Sequence, residues 1–223
     1  DGFVPCERLL GIVGVGHVGS LVEEYARRWG FRTILCDEPR RINEGFPSHS
    51  IEEVFEQADI VTMHVPLDAT TRHLVDSAMI ARLHSGAVLL NSSRGEVVSN
   101  EALRSRDDIE FALDVWEGEP HLDREVLQRA TLSTPHIAGY SLQGKANATS
   151  MVVSAIARRF SLSLDSWYPA EVTPTEIRPI SWDDMCATIQ RYYPISEESN
   201  RLKRHPEHFE AMRNNYLYRE EYF

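Results

Sequence analysis

Polar residues that could do acid–base chemistry follow three successive apolar runs of the sequence. Arg94 follows the first run, carboxylates within 114–119 follow the second, and His136 follows the third. An arginine presents a planar fork that pairs with a carboxylate at two points, which a lysine cannot do. A histidine titrates close to neutral pH and can accept or release a proton. These residue types predict a site that binds an acid and moves a proton.

A glycine pattern near the N-terminus predicts a second ligand. Gly14, Gly16 and Gly19 form G-x-G-x-x-G, directly after the apolar run 9–13 and at the start of a predicted helix over 18–28. The first glycine permits a tight turn, the second lets the backbone approach a pyrophosphate, and the third lets the helix pack closely on the sheet. The amides at the start of the helix favour a bound phosphate. The pattern in this context indicates a dinucleotide-binding site.

The dinucleotide is predicted to be NAD. Asp37 ends a second apolar run, eighteen positions after Gly19. A carboxylate at this position hydrogen-bonds the ribose 2′-hydroxyl and repels a 2′-phosphate. NAD is therefore favoured over NADP.

The alternation of apolar runs with helical segments predicts an α/β fold, a doubly wound parallel sheet of the Rossmann type. Ligands of such sheets bind beyond the carboxyl ends of the strands, where the candidate residues lie. A polar loop is expected around Arg40 and Arg41, and Asn100 is expected to cap a helix. The predicted strands are 9–13, 33–37, 58–64, 87–91, 111–115 and 130–133, and the predicted helices include 18–28, 51–57, 77–83, 144–160 and 182–193.

Composition excludes several classes of partner. The net charge of −11 argues against nucleic acid and anionic membrane surfaces, because both need basic patches. No apolar stretch reaches the roughly 18–20 residues of a membrane span. The separated Cys6, Cys36 and Cys186 indicate reduced thiols and a cytoplasmic location. His205 and His208 indicate a solvated helix start, so no metal is expected.

Four motifs together resemble one enzyme family. GIVGVGHVG, SSRGEVV, ALDVWEGEP and TPHIAG occur in the order found in the D-isomer-specific 2-hydroxyacid dehydrogenases, and the resemblance covers most of residues 9–160. A narrower similarity rests on ILCDEPR, TPHIAGYSLQGKANAT and HFEAMRNNYLYREEY. It points to the branch that oxidises 4-phospho-D-erythronate, a phosphorylated hydroxy acid, with NAD in pyridoxine biosynthesis.

The resemblance implies roles for three residues. His136 is the base in oxidation and the acid in reduction, because its ordinary pKa lies near working pH. Glu119 hydrogen-bonds the imidazole, fixes its tautomer and favours its charged form. Arg94 holds the substrate carboxylate. Glu117 competes with Glu119, and Glu119 is preferred because it directly precedes Pro120, as in the family motif.

The resemblance also implies which residues contact the ligands. Asp114 is expected to face the nicotinamide carboxamide, and Val65 stands where related enzymes tend to have a threonine. The substrate-binding residues are expected to be Arg94, His136 and Tyr140. The cofactor-binding residues are expected to be Gly14, Gly16, His17, Val18, Gly19, Asp37, Val65, Pro66, Ser92, Ser93, Arg94, Asp114, His136 and Gly139. His64, His73 and His84 are interpreted as core residues.

The chain is expected to comprise a dinucleotide-binding domain, 1–168, and a linker with a small C-terminal α+β dimerisation domain, 169–223. Phe209, Met212, Tyr216 and Leu217 form an apolar stripe at helical spacing, which must pack against something. The resemblance implies that this part forms a homodimer.

The start of the chain leaves three hypotheses open. In the family a substrate lobe of about a hundred residues, a typical domain size, precedes the glycine motif, whereas eight residues precede Leu9 here. The sequence is therefore interpreted as a fragment of the enzyme or as a natural truncation without turnover. A dehydrogenase of another small hydroxy acid and a non-catalytic NAD-binding dimer module are the alternatives.

Overall fold

Six parallel strands form one sheet, which confirms the predicted α/β class. The computed structural model describes residues 3–174 and 179–221. The strands are β1 (Leu9–Val13), β2 (Arg32–Cys36), β3 (Ile60–Met63), β4 (Val88–Asn91), β5 (Glu110–Leu113) and β6 (Leu132–Ser133). Their order in the sheet is β2-β1-β3-β4-β5-β6. The chain therefore reverses its direction of winding after β2, which is where a doubly wound sheet opens a ligand crevice.

Ten α-helices lie in the described ranges. They are α1 (His17–Arg28), α2 (Glu38–Glu44), α3 (Ile51–Gln57), α4 (Ser77–Ile80), α5 (Asn100–Arg104), α6 (Arg124–Arg129), α7 (Leu142–Phe160), α8 (Trp182–Tyr192), α9 (Ile195–Arg204) and α10 (Phe209–Asn214). Short 3₁₀ helices cover Pro5–Glu7, Gly95–Val97 and Pro206–His208. No helix of the described residues is long and apolar enough to span a bilayer.

Helix starts follow local capping chemistry. Ser50 and Glu53 form a capping box at α3, in which the Ser50 hydroxyl accepts from the Glu53 amide at 3.2 Å. The Glu53 carboxylate in turn accepts from the Ser50 amide at 2.8 Å. Such pairs satisfy amides that have no partner within the helix. The helix therefore begins at Ile51, as the sequence predicts.

Three local predictions are wrong. The segment around Arg40 and Arg41 is the helix α2 rather than a loop, because Asp37 caps its first turn and Gly45, at φ 68°, ends it. Ser99 rather than Asn100 caps α5. The helix carrying the predicted apolar stripe ends at Asn214, so the stripe does not continue on one helical face.

The chain divides into two compact units. The first comprises Asp1–His136 and Ser196–Glu210 and contains the whole sheet, and the second comprises Ile137–Ile195 and Ala211–Phe223. These bounds differ from the predicted split at residue 168, since α7 groups with the C-terminal residues. The separate function predicted for 169–223 stays a prediction. Residues 161–174 and 179–181 contain neither helix nor strand, and 175–178 lie outside the described residues.

Within the first unit, the segment 196–210 covers the edge of the sheet at β6. The Ser133 amide donates to the Ser199 hydroxyl at 3.0 Å, and the Gln128 side chain donates to the Lys203 carbonyl at 2.8 Å. Leu202 and Phe209 are 0% and 1% exposed. An uncovered edge strand would present unpaired backbone groups to solvent. This segment therefore belongs to the core of the first unit.

Candidate cofactor and catalytic site

The glycine turn joins β1 to α1 with the close approaches that its sequence predicts. Gly14 has φ 89°, and a Cβ on it would lie 2.5 Å from the His64 carbonyl oxygen. A Cβ on Gly19 would lie 2.0 Å from the Gly14 carbonyl oxygen, so α1 packs directly on the turn. A Cβ on Gly16, by contrast, would meet nothing within 4 Å. The space in front of Gly16 is where a pyrophosphate can approach the backbone.

The residues around the turn leave that space open. Gly16 forms the N-cap of α1, and no side chain caps the helix there. His17 and Val18, its first residues, are exposed, and the Val65 side chain contacts the turn from the end of β3, with Pro66 after it. The free backbone amides at the N-terminus of a helix such as α1 favour a bound anion. These residues fit the phosphates of a dinucleotide.

Asp37 lies at the end of β2, and both of its oxygens accept backbone hydrogen bonds. One accepts from the Val15 amide at 2.8 Å and the other from the Arg40 amide at 3.0 Å. The Arg40 guanidinium donates to the Val15 carbonyl at 2.7 Å, which the sequence did not suggest. Each carboxylate oxygen retains a second lone pair for a ribose hydroxyl. Asp37 therefore ties α2 to the glycine turn and stays available to a ribose.

Cys36 precedes Asp37 but is not a candidate nucleophile. Burial raises the pKa of its thiol to about 11, and the charges of Asp37 and Glu38 act in the same direction. The thiolate is the nucleophilic form of cysteine. Near neutral pH this side chain is neutral and inert.

The loop after β4 holds Arg94 through a backbone network. The Asn91 side chain accepts from the Ser93 amide at 3.0 Å and donates to the Arg94 carbonyl at 2.9 Å. A Cβ on Gly95 would lie 2.1 Å from the Trp116 backbone, so only glycine lets this loop approach the segment that follows β5. Ser92 and Arg94 are exposed and Ser93 is buried. The roles of Asn91 and Gly95 were not predicted from the sequence. The signals that could have indicated them are an asparagine at the end of a strand and a glycine directly after an arginine.

Asp114 is buried at the end of β5. Its carboxylate accepts from the Thr134 hydroxyl at 2.6 Å, and its amide donates to the Asn91 carbonyl at 3.0 Å. The Asp114 carbonyl accepts from the His136 amide at 2.8 Å. The carboxyl ends of β4, β5 and β6 are thus joined by hydrogen bonds at one edge of the sheet.

The structure brings Glu119 and His136 together. His136 Nδ1 lies 2.8 Å from Glu119 Oε2, while Glu119 Oε1 accepts from the Trp116 amide at 2.8 Å. The His136 backbone is left-handed, with φ 58°. For a residue other than glycine this conformation costs free energy and persists where the surroundings impose it. Both side chains are partly exposed, so the imidazole is oriented by the carboxylate and accessible to a ligand.

The competing carboxylate has other partners. Glu117 pairs with His73 Nε2, and its second oxygen accepts from the Asn100 amide at 2.7 Å. His73 and His84 are exposed, so their interpretation as core residues is wrong, because each has a polar partner at the surface. His64 is half-buried, and burial lowers its pKa.

Gly139 and Tyr140 lie in the second unit. Gly139 is exposed with nothing within 4 Å of a Cβ position, and Tyr140 is half-buried. The Tyr140 amide closes a turn by donating to the Ile137 carbonyl at 2.9 Å.

Among the described residues, one group has metal-ligand chemistry. His205, Glu207 and His208 offer atoms within 4.8 Å of one another, and all three are exposed. Exposed groups of this kind are common without an ion, so this group does not by itself indicate a metal site.

Comparison with known proteins identifies the family of this chain. Residues 6–138 match the sequence model of the D-isomer specific 2-hydroxyacid dehydrogenase, NAD binding domain. The chain belongs to this family. The family's description gives the cofactor that the glycine turn and Asp37 predict, and its matched range contains Arg94, Glu119 and His136.

Two curated relatives that share one enzyme name are similar to most of this chain. Erythronate-4-phosphate dehydrogenase of Ectopseudomonas mendocina is 42% identical over 186 residues, which is 82% of this chain and 48% of that protein. The enzyme of the same name from Bacteroides thetaiotaomicron is 42% identical over 229 residues, 97% of this chain and 64% of that protein. The chain therefore spans between about half and two thirds of the length of these relatives.

Solved structures share the fold. The TT0316 protein from Thermus thermophilus has a TM-score of 0.60 at 28% identity, covering 76% of this chain and 56% of its own. A glyoxylate reductase from Paecilomyes thermophila has a TM-score of 0.60 at 25% identity, covering 76% and 54%. Both comparisons agree with the sheet and the family described above.

Proposed function

We propose that the chain is the cofactor-binding and catalytic part of an NAD-dependent dehydrogenase of pyridoxine biosynthesis. Its proposed substrate is 4-phospho-D-erythronate, oxidised at the 2-hydroxyl to the 2-oxo acid. The observation that carries the proposal is the hydrogen bond of 2.8 Å between His136 and Glu119 in a chain of this family. The choice of substrate is supported by the activity for which its relatives are named.

His136 is proposed as the base. A carboxylate can only accept, so Nδ1 carries the hydrogen towards Glu119 and Nε2 keeps a free lone pair. As the C2–H bond breaks and the carbonyl forms, Nε2 takes the hydroxyl proton. Bound NAD⁺ would supply the acceptor for the hydride that leaves C2. In reduction the same nitrogen returns the proton.

Arg94 is proposed to bind the substrate carboxylate. Its guanidinium is exposed, and Nη1 is steadied by a donated bond of 2.6 Å to the Ser93 carbonyl. A guanidinium pairs with a carboxylate through two parallel hydrogen bonds, which orients the acid as well as holding it. Tyr140 is proposed as a further substrate contact, four residues after His136.

The proposed cofactor contacts follow the strand ends. Gly16 and the first amides of α1 hold the pyrophosphate, Asp37 holds the adenine ribose, and Asp114 faces the nicotinamide carboxamide. The other proposed contacts are Gly14, His17, Val18, Gly19, Val65, Pro66, Ser92, Ser93, Arg94, His136 and Gly139.

A homodimer through the exposed face of α7 belongs to the proposal. Val152, Ile156 and Phe160 recur every four residues and are 59%, 48% and 66% exposed. Contiguous exposed apolar surface marks interfaces. A second copy would remove this stripe from water.

We propose a cytoplasmic location for the protein. Cys6, Cys36 and Cys186 are free thiols, and two of them are exposed. Exposed thiols persist in a reducing compartment.

Turnover tests the proposed function. The chain is joined to the N-terminal part of the Bacteroides thetaiotaomicron relative, and NADH formation from 4-phospho-D-erythronate is followed by absorbance. The fusion is expected to turn over, and the 223-residue chain alone to bind NADH with much slower turnover. His136→Asn in the fusion is expected to lower kcat by about 100- to 10,000-fold, the usual contribution of general acid–base catalysis.

His84→Asn is the matched control, since His84 is exposed and bonded to the Ser85 carbonyl. It is expected to leave kcat and NADH affinity unchanged. His136→Asn is expected to leave NADH affinity nearly unchanged, because His136 is one of many proposed cofactor contacts. Full activity of the His136→Asn fusion would show that the base lies elsewhere. An inactive parent fusion would contradict the proposed function.

A further inference from the structure

A single guanidinium binds three carbonyls of the turn that follows His136. Arg219, near the end of the second unit, donates from Nη2 to the Ala138 carbonyl at 2.6 Å. Its Nη1 donates to the Ile137 carbonyl at 3.1 Å and to the Tyr140 carbonyl at 3.4 Å. One side chain therefore contacts the backbone along the whole turn 137–140.

Side-chain packing anchors the start of the turn, where Ile137 is 1% exposed. Ala138 and Gly139, its central residues, are exposed and carry almost no side chain to pack. The backbone bond from the Tyr140 amide to the Ile137 carbonyl closes the turn but does not orient it. Hydrogen bonds to a charged donor are stronger than those between neutral groups. The Arg219 contacts therefore add charge-assisted hydrogen bonds to the part of the turn whose side chains are small and exposed.

Arg219 is itself anchored. Its carbonyl accepts from the Leu142 amide at 2.8 Å, and its guanidinium lies 4.9 Å from the centre of the Tyr193 ring. Two residues later the Glu221 amide donates to the Gln143 side chain at 2.9 Å. The segment 219–221 is thus docked on the start of α7, and a half-buried arginine held in this way presents its fork in a fixed geometry.

The same segment surrounds the Tyr140 side chain. The Tyr216 and Tyr218 rings meet the Tyr140 ring edge-on, with centres 6.2 and 5.8 Å away. The Lys145 ammonium lies 4.2 Å from the centre of the Tyr140 ring. Aromatic pairs of this geometry and a cation over a ring face are both attractive. Backbone and ring of Tyr140 are therefore fixed by neighbours from one C-terminal segment and from α7.

We propose that Arg219 is a positioning residue that sets the substrate contact of Tyr140, an inference that rests on the proposed function. Arg219 acts through the turn: its fork holds three carbonyls, the carbonyls fix the path of the chain, and the path places the phenol. A lysine would keep the charge but offers one point of contact in place of a fork. Charge alone is therefore not sufficient.

Steady-state kinetics of the fusion test this role. Arg219→Lys and Arg219→Ala are expected to lower kcat/KM for 4-phospho-D-erythronate roughly 10- to 100-fold, the range that misplacement by about 1 Å produces. The NADH dissociation constant is expected to change much less than kcat/KM, because Gly139 is one of many proposed cofactor contacts. Arg159→Ala removes an arginine of α7 whose guanidinium lies near the Phe160 ring, and it is expected to behave as the parent.

A double-mutant cycle with Tyr140→Phe separates positioning from general stability. If Arg219 acts through Tyr140, Arg219→Lys adds little to a Tyr140→Phe fusion, because the contact it places is already lost. Additive losses, or parent-like kinetics of Arg219→Lys, would overturn the inference and leave the proposed function standing. Equal losses of Tm and NADH binding would also overturn it, since they mark a merely structural role. An inactive parent fusion would overturn the proposed function and the inference together.

Discussion

At the scale of single residues, the orientation of His136 is determined by several hydrogen bonds acting together. The ring is bound by Glu119, whose other oxygen is bound by the Trp116 amide. The His136 amide is bound to the Asp114 carbonyl at 2.8 Å. The role of base that we propose for His136 needs this kind of support, because proton transfer depends on a geometry held before the substrate arrives.

Asp37 shows how one side chain serves fold and ligand. It caps α2 and bonds the Val15 amide while facing the proposed ribose site. Its removal therefore has a structural effect and a binding effect, and a good test must separate the two.

We expect the wild-type chain to bind NADH at least about tenfold more tightly than NADPH, a difference of roughly 1.4 kcal/mol. Asp37→Ala and Asp37→Asn should both narrow this difference, because the carboxylate no longer repels a 2′-phosphate. Asp37→Asn keeps a hydrogen-bonding oxygen at this position and so limits the structural effect. Fluorescence titration measures both affinities, with the exposed Glu38→Ala as control. Equal affinities in the wild-type chain would contradict the ribose assignment.

At the scale of elements, two glycines of the turn are needed for different reasons, one for packing and one for the approach of the ligand. Gly19 is needed for packing, since a Cβ would lie 2.0 Å from a backbone oxygen. Gly16 has φ −77°, an ordinary value for any residue, and free space around it. Its smallness therefore matters to the ligand rather than to the fold.

The two glycines are expected to respond differently to the same change. Gly19→Ala should destabilise the chain by about 1–3 kcal/mol, the usual cost of forcing extra volume into a packed site. Gly16→Ala should leave the free energy of unfolding nearly unchanged while weakening NADH binding roughly tenfold, because its methyl group occupies the approach of the pyrophosphate. Urea denaturation and NADH titration measure these effects. Wild-type NADH affinity in Gly16→Ala would contradict the proposed phosphate site.

At the scale of the whole molecule, the C-terminal part is not an independent tail. Residues 196–210 belong to the first unit, and Phe209 and Met212, half of the predicted apolar stripe, are already buried within the single chain. They cannot also form an interface between copies, so that part of the prediction is wrong. Leu217 is 88% exposed and lies beyond the helix. The exposed face of α7, with Val152, Ile156 and Phe160, is a larger apolar surface than Leu217 alone, and it is the surface that we propose a second copy covers.

Ile156→Asp is expected to convert a dimer to a monomer. A charge in the middle of an apolar interface loses its hydration without gaining a partner. Ile42→Asp, on the exposed face of α2, is the matched control and should leave the association state unchanged. Light scattering coupled to gel filtration at micromolar concentration measures both. A monomeric wild-type chain, or a dimeric Ile156→Asp variant, would contradict the proposed interface.

The sequence by itself determined the sheet, the glycine turn and the cofactor. These features depend on local patterns: runs of apolar residues specify strands, and the spacing of Gly14, Gly16 and Gly19 specifies one turn. Their strand and helix bounds were predicted to within a few residues for this reason. The motif context also singled out Glu119 and His136, although not their distance.

The tertiary structure decided which distant residues meet. Glu119 and His136 are 17 positions apart, Ser133 and Ser199 are 66 apart, and Arg219 and Ile137 are 82 apart. No local period encodes such pairings, because they depend on how completed elements pack. The sequence could thus identify a histidine that needs an orienting carboxylate. The motif context also proposed Glu119 for that role. Folding alone decided that the two side chains lie 2.8 Å apart, that the segment 196–210 completes the sheet, and that Arg219 binds the turn 137–140.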